Sequence, residues 1–295
     1  MANTEPRDDA AAIVPLSEAD LPGALALSAS AQWNQNADDW RAMLRLGRGW
    51  GIHAAGADGV DTLAASAIVL PYGADFAWVS MVLVLPPFQR RGYAGMLLRH
   101  AIDALRDEDR AAVLDATPAG HAVYEQAGFR DTFGFARWRR KARSAVNGDV
   151  AVSSTRPLVE SDWPAIEALD TPAFGASRIA LLRELARRWP EAAHVVEQAG
   201  RLHGFVLGRD GAYAHQIGPL VADDSAVAIE LLDAALKAID GPVYVDLLDH
   251  RDALQAWLAH QGFAFQRPFV RMVHGQIEAP GRPESICLVA GPELG

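Results

Sequence analysis

The run Val82-Leu83-Val84-Leu85-Pro86-Pro87-Phe88-Gln89-Arg90-Arg91-Gly92-Tyr93-Ala94-Gly95 decides how this chain folds. It closes an almost unbroken apolar stretch over 76–85, the pattern of a central strand covered on both faces. Pro86 and Pro87 stop the strand, because proline has no N–H for the ladder and fixes φ. From Tyr93 the period changes, and Tyr93, Met96, Leu97, His100, Ala101, Ala104 and Leu105 fall on one helical face. Between strand and helix, Gln89 to Gly95 combines glycines with two arginines. The glycines let consecutive N–H groups converge at a helix N-terminus, and the arginines add charge-assisted donors. A pyrophosphate is the anion expected here. The competing reading of Gly92 and Gly95 is close helix-on-strand packing alone.

Working outward, 13–16 reads as a short strand, and Ser17 as the N-cap of a helix running to about 31. After a loop at 32–36 a second amphipathic helix carries Trp40, Met43 and Leu44, ended by Gly47 and Gly49. Stretches 50–55, 60–70 and 76–85 read as three strands of an antiparallel meander. Behind the motif helix come a strand at 111–115, a short helix at 118–126 and a strand at 129–140. Residues 1–10 read as a disordered leader, and the basic run from Arg139 to Arg143 as part of a solvated connector.

Then the order begins again. Arg156-Pro157-Leu158-Val159-Glu160-Ser161-Asp162-Trp163 echoes Val14-Pro15-Leu16-Ser17-Glu18-Ala19-Asp20-Leu21, and Trp257 to Phe263 answers Val123 to Phe129. The offset of roughly 130–140 residues is domain-sized, not a solenoid period. The expectation is a duplicated α/β fold (α+β, mixed sheet), with one unit at 12–141 and a second at 152–275. The tail from Ile277, with Pro280, Pro283 and Pro292, reads either as extended packing or as disorder.

Two domains suit a chain of 295 residues with 50% hydrophobic and 22% charged residues. No apolar run approaches the roughly 20 residues of a membrane helix. The single cysteine, Cys287, excludes an internal disulfide framework, and the polar start carries no signal or transit pattern. A cytoplasmic protein without membrane contact is expected. A net charge of −10 argues against a nucleic-acid surface and makes Arg90-Arg91 stand out. The histidines show no metal-ligand spacing, so no metal is expected.

The 82–94 run resembles motif A of the GNAT superfamily of acetyl-CoA-dependent N-acetyltransferases, with Gln89, Gly92 and Ala94 at its three specified places. Leu114-Asp115-Ala116-Thr117-Pro118-Ala119-Gly120-His121-Ala122-Val123-Tyr124-Glu125-Gln126-Ala127-Gly128-Phe129 resembles motif B. Together they are far more specific than a glycine motif alone. The likeness is good over about 12–140, and the remainder resembles the degenerate second domain of tandem members. The resemblance implies acetyl-CoA as cosubstrate, contacted by Val82, Leu83 and Val84 along the strand. Gln89, Arg90, Arg91, Gly92, Tyr93, Ala94 and Gly95 would hold the pyrophosphate, and Thr117, where the family often has Asn, would lie by the pantetheine. It implies Tyr124 as the acid that protonates the departing thiolate, a task for a phenol still protonated at neutral pH.

The same resemblance places the acceptor near the first two helices, where Trp33, Asn34 and Gln35 could bind an amine by stacking and hydrogen bonds. Against this stands a helix cap with Trp33 and Trp40 packed on the core. Asp75, Asp115, His121 and Glu125 are candidates for a general base by position alone. In the second copy, Val221 to Val227 has neither glycine nor arginine, Asp223 and Asp224 would repel a pyrophosphate, and Leu258 stands where Tyr124 stands in the first. That copy is expected not to catalyse. Trp257, Phe263, Phe265, Phe269 and Met272 could form a lid, an interface wall or ordinary core. The whole reads as an acetyltransferase for a small-molecule or peptide amine, monomeric or homodimeric, with a CoA-binding sensor as the rival.

Overall fold

The computed structural model describes residues 11–56, 59–141, 154–275 and 278–295. The expected leader and most of the connector lie outside these. In the first half come β1 (Ile13–Pro15), α1 (Leu21–Ser30), α2 (Ala37–Leu46), β2 (Arg48–Ala55), β3 (Asp61–Tyr72), β4 (Phe76–Val84), α3 (Tyr93–Arg106), β5 (Ala111–Ala116), α4 (Pro118–Gln126) and β6 (Phe129–Arg140). The second half repeats them as β7 (Thr155–Pro157), α5 (Trp163–Phe174), α6 (Ile179–Arg188), β8 (His194–Gln198), β9 (Arg201–Arg209), β10 (His215–Ala222), α7 (Ser225–Lys237), β11 (Val243–Leu248), α8 (Asp252–His260) and β12 (Ala264–His274). A further strand, β13 (Ile286–Leu288), follows. The tandem mixed α/β fold expected from the sequence is present.

Local chemistry sets the entries. Ser17 opens a 3-10 turn through a capping box with Asp20, so the α-helix proper starts later than the Ser17 cap suggested, at Leu21. Asn36 caps α2 by accepting from the N–H of Asp38 and Asp39, while the Asp39 carboxylate accepts from the N–H of Asn36. Helices α1, α2, α5 and α6 bury Leu27, Trp40, Met43, Phe174 and Leu182 in one large core on one face of the sheet. Helices α3 and α4 cover the opposite face of the first half, and α7 and α8 that of the second.

Among the described residues thirteen strands join one sheet, in the order β1-β2-β3-β4-β5-β12-β6-β11-β13-β10-β9-β8-β7. The halves have traded their last strands: β12 pairs with β5, β6 pairs with β11, and β6 and β12 pair antiparallel at the centre. A buried ion pair marks each exchange. On the β5–β12 ladder Asp115 faces Arg271, whose Nε and Nη2 donate to its two oxygens at 2.9 and 3.1 Å. On the β11–β6 ladder Asp246 faces Arg137 in the same fork, at 2.8 and 2.7 Å. Arg271 also lies over the Trp78 ring, 4.4 Å from its centroid, and Phe135 stacks on Phe269 across the central pair at 5.0 Å.

A buried fork broken on one side leaves a charge without a partner, a loss of about 3–5 kcal/mol. Arg137→Met should lower the unfolding free energy by that amount, and adding Asp246→Leu should restore a large part of it. Denaturant unfolding followed by tryptophan fluorescence measures both. Because the sheet is continuous, the halves should unfold in a single transition.

Candidate active site

The site follows from a place where two neighbouring strands stop being neighbours. Strands β4 and β5 run parallel and pair only at Phe76–Ala111, Ala77–Ala112 and Trp78–Val113. Beyond Trp78 they diverge. On its other edge β4 carries one extra residue against β3, since the register steps from Ile68–Ser80 to Ser66–Leu83. Met81 in this bulge has φ of 51°, a conformation that costs a non-glycine residue of order 1–3 kcal/mol. The Ser66 hydroxyl donates to the Met81 carbonyl at 2.8 Å and helps to hold it.

Past the bulge, Leu85 N–H donates to Ala64 on β3. Alternation along the strand therefore turns the backbone groups of Val84 and Val82 towards the open side. The Gln89 side-chain amide donates to the Val84 carbonyl at 3.3 Å from that side. The chain then passes Arg90, at φ 64°, and Gly92, at φ 85°, which is the N-cap of α3. A β-carbon on Gly92 would touch nothing, but the positive φ favours glycine. The first helical bond of α3 runs from Met96 N–H to Gly92 C=O, and among the described residues no side chain caps the helix. The N–H groups of Tyr93, Ala94 and Gly95 thus stand at an open, positively polarised helix end. Arg90 and Arg91 are exposed beside it, and Arg91 lies 5.1 Å from the Phe88 ring centroid.

The widening between β4 and β5 is a cavity lined by Val79, Ser80, Met81 and Val82 and by Trp33, Gln35, Asp115, Thr117 and Tyr124. Five positions singled out from the sequence as donor, acid or acceptor residues (Trp33, Gln35, Val82, Thr117 and Tyr124) therefore border one space. Thr117 caps α4, its hydroxyl accepting from Gly120 N–H at 3.3 Å. Tyr124 on α4 packs edge-on against Phe129, and burial pushes its phenol up to about 12, so it stays protonated at neutral pH. Asn34 is placed differently. It is buried, its amide donates to Ala214 C=O at 2.9 Å, and its oxygen accepts from the N–H of Tyr213 and Ala214. Its side chain clamps the first half to the second.

Of the candidate bases, Asp75 and Glu125 are exposed, and His121 lies 2.7 Å from Asp131. Asp115 lines the cavity, and burial pushes its carboxyl up to about 6 against the opposing pull of Arg271. The second half supplies residues that the sequence alone gives as lid, wall or core, or does not mark. Phe269 and Arg267 on β12 line the cavity, and so does Glu293, just beyond β13. Phe263 and Met272 are core, whereas Phe265 is exposed. The one cue in the sequence for the forks was the repeat itself. Asp115 and Asp246, and Arg137 and Arg271, occupy matching strands of the two copies.

The equivalent places in the second half are filled by the chain. Strands β10 and β11 also pair over only three residues, at His215–Val243, Gln216–Tyr244 and Ile217–Val245. Strand β13 enters where they part, pairing with β10 at Leu220–Leu288 and with β11 at Leu247–Leu288. At the start of α7 the Asp224 carboxylate accepts from the N–H of Ala226 and Val227, both at 2.9 Å. Leu258, opposite Tyr124 in the repeat, is fully buried.

Comparison with known proteins agrees with this geometry. Residues 24–129 match the acetyltransferase (GNAT) family, and residues 166–287 match an acetyltransferase (GNAT) domain. The two matches together span well over half of the chain, and the protein belongs to the GNAT superfamily as a two-domain acyltransferase. It is 26% identical over 254 residues to the uncharacterized N-acetyltransferase YitH of Bacillus subtilis, covering 85% of this chain and 87% of that one. It is 25% identical to a holothin acyltransferase of a Pseudoalteromonas species, over 80% of this chain and 79% of the relative. A Pyrococcus horikoshii structure assigned as an acetyltransferase superposes with a TM-score of 0.79 at 18% identity, over 100% and 99% of the two chains. A tandem GNAT protein from the clavulanic acid biosynthesis pathway superposes with a TM-score of 0.64 at 18% identity, over 90% and 99%. Among the described residues no helix is long and apolar enough to cross a membrane.

The raised Asp115 carboxyl has a consequence for stability. The folded chain favours its protonated form, so the stabilisation it supplies is complete below about pH 4 and lost as pH rises through about 6. A shift of about two pH units corresponds to about 3 kcal/mol. Asp115→Asn cannot titrate, so the stability difference between wild type and variant should change in the variant's favour by up to that amount across this window. Denaturant midpoints measured at intervals of pH give the slope.

Proposed function

We propose that the first half binds one acetyl-CoA and transfers its acetyl group directly to an amine. The observation that carries this reading is the contrast between the halves. In the first, the gap between β4 and β5 leads towards an uncapped helix N-terminus beside two arginines. In the second, a strand and a carboxylate of the chain itself fill the corresponding places. Backbone groups of Val82 and Val84 would meet the amides of the pantetheine arm, and Gln89 to Gly95 would hold the pyrophosphate. An N–H from the bulged strand would stabilise the oxyanion as the amine adds to the thioester carbonyl. The C–N bond forms, the C–S bond breaks, and the thiolate takes the proton of Tyr124. Tyr124 regains a proton from the nitrogen of the collapsing adduct.

The acceptor would enter from the side of Trp33 and Gln35, with Phe269 of the second half as the opposite wall. This half then shapes the acceptor pocket without binding a second CoA. The flanking elements leave a confined cavity, which favours a small amine over a folded protein. The curated relatives, a named N-acetyltransferase and a holothin acyltransferase, support acyl transfer as the reaction.

Calorimetric titration with acetyl-CoA should show one site per chain, weakened by Arg91→Glu; two sites would overturn the assignment of roles to the halves. Tyr124→Phe should bind acetyl-CoA normally and slow thiol release with an amine panel by about a hundredfold or more. Binding without thiol release for any amine would identify a CoA sensor instead. Trp33→Ala should raise the acceptor KM and leave the affinity for acetyl-CoA intact.

A further inference from the structure

Besides one donor, Arg267 Nε, three buried oxygens of residues lining this cavity lack hydrogen-bond partners among the described residues: Gln35 Oε1, Ser80 Oγ and Glu293 Oε2. They come from three separate parts of the chain: the loop before α2, the strand β4, and the segment after β13. All three residues are more than nine-tenths buried, at 5%, 8% and 3% exposure. A buried polar atom left without a partner costs about 1–3 kcal/mol, and more when charged. Three acceptors on residues lining one cavity, against a single unpartnered donor, call for a ligand that supplies donors. A primary ammonium carries three N–H donors and one positive charge, against three acceptors and one carboxylate.

Glu293 is the charged member, and the fold places it with care. Strand β13 anchors the segment before it, and the Pro292 and Leu294 carbonyls on either side accept from Trp78 Nε1 at 2.9 Å and the Tyr72 hydroxyl at 2.7 Å. Its other carboxylate oxygen, Oε1, accepts from Arg209 Nη2. Arg209 in turn donates to the Ala290 carbonyl at 2.6 Å and lies 3.0 Å from Asp39, which Arg188 grips at 2.6 Å. Arg209 thus holds the carboxylate by one oxygen and leaves the other free. Arg137 and Arg267, together with Asp115 and Tyr72, also interact electrostatically with it.

Building on the acetyltransferase reading, we propose that Glu293 binds the acceptor as a primary alkylammonium, with Gln35 and Ser80 accepting its other N–H groups, and takes its first proton. The balance is simple. The ammonium loses one proton to Glu293 and becomes a nucleophilic amine; the second departs from nitrogen after the C–N bond forms and restores Tyr124; Glu293 returns the first to solvent. The substrate class is a primary amine protonated at neutral pH, rather than a weakly basic aromatic amine.

The test separates this inference from the reading beneath it. In protein loaded with CoA, where no acetyl transfer can occur, saturation-transfer NMR compares butylammonium with butanol. Wild type should prefer the ammonium by at least about tenfold, and Glu293→Gln should abolish that preference while acetyl-CoA titration remains unchanged. Equal binding of the two probes, absence of ammonium binding, or a preference that survives in the variant would each overturn the assignment. For any alkylamine that is acetylated, kcat/KM of Glu293→Gln should fall about a hundredfold near neutral pH and recover as the amine loses its proton. A loss equal at every pH would mark a structural role for Glu293. Failure of wild type to bind acetyl-CoA would instead remove the acetyltransferase reading.

Discussion

A buried backbone N–H or C=O must find a partner, and that constraint shapes both halves of this protein. A parallel pair that separates after three residues leaves unpaired groups along two strands. The second half answers with its own chain: β13 enters the fork between β10 and β11, and Asp224 caps the helix that follows. The first half gives no such answer, and the bulge at Met81 turns its backbone towards the space. The same scaffold therefore appears once closed by its own chain and once left open.

The exchange of last strands explains why the second half matters to the first. With β12 beside β5, Phe269 and Arg267 line a cavity whose other wall belongs to the first half. The segment after β13 reaches the same cavity, its course fixed by hydrogen bonds from Trp78, Tyr72 and Arg209. Closing the gap in one half and completing the site in the other are tasks of one stretch of chain. The two Asp–Arg forks hold the traded strands in register, where a slip of one residue would turn every side chain to the wrong face.

Much of this was legible in the sequence because it is local. The apolar run before Pro86, the glycines after it and the Tyr124 signature each act within a few residues, and their elements appear close to the expected places. The repeat could be read because matching turns recur at one offset. The exchange could not, since a strand paired with its own half or with the other shows the same alternation. Asn34 illustrates the limit. An amide beside a tryptophan near the site suggested substrate binding, but its partners are backbone groups 180 residues away in sequence. Glu293 lay in a proline-rich tail with no periodic pattern, and only tertiary contacts reveal it as a buried carboxylate.

The traded strands also impose an order on biosynthesis. The edge of β5 around Asp115 waits for a partner 156 residues further along the chain. At about 5–20 residues per second of translation, that is a delay of roughly 8–30 seconds. Through that interval the nascent first half carries an uncovered sheet edge and an unfinished cavity, the situation in which hydrophobic strands find wrong partners. Its contacts are long-range, so folding is slow for its size. The half proposed to bind acetyl-CoA is the first to be made, and its cavity is completed only after the second half has been translated.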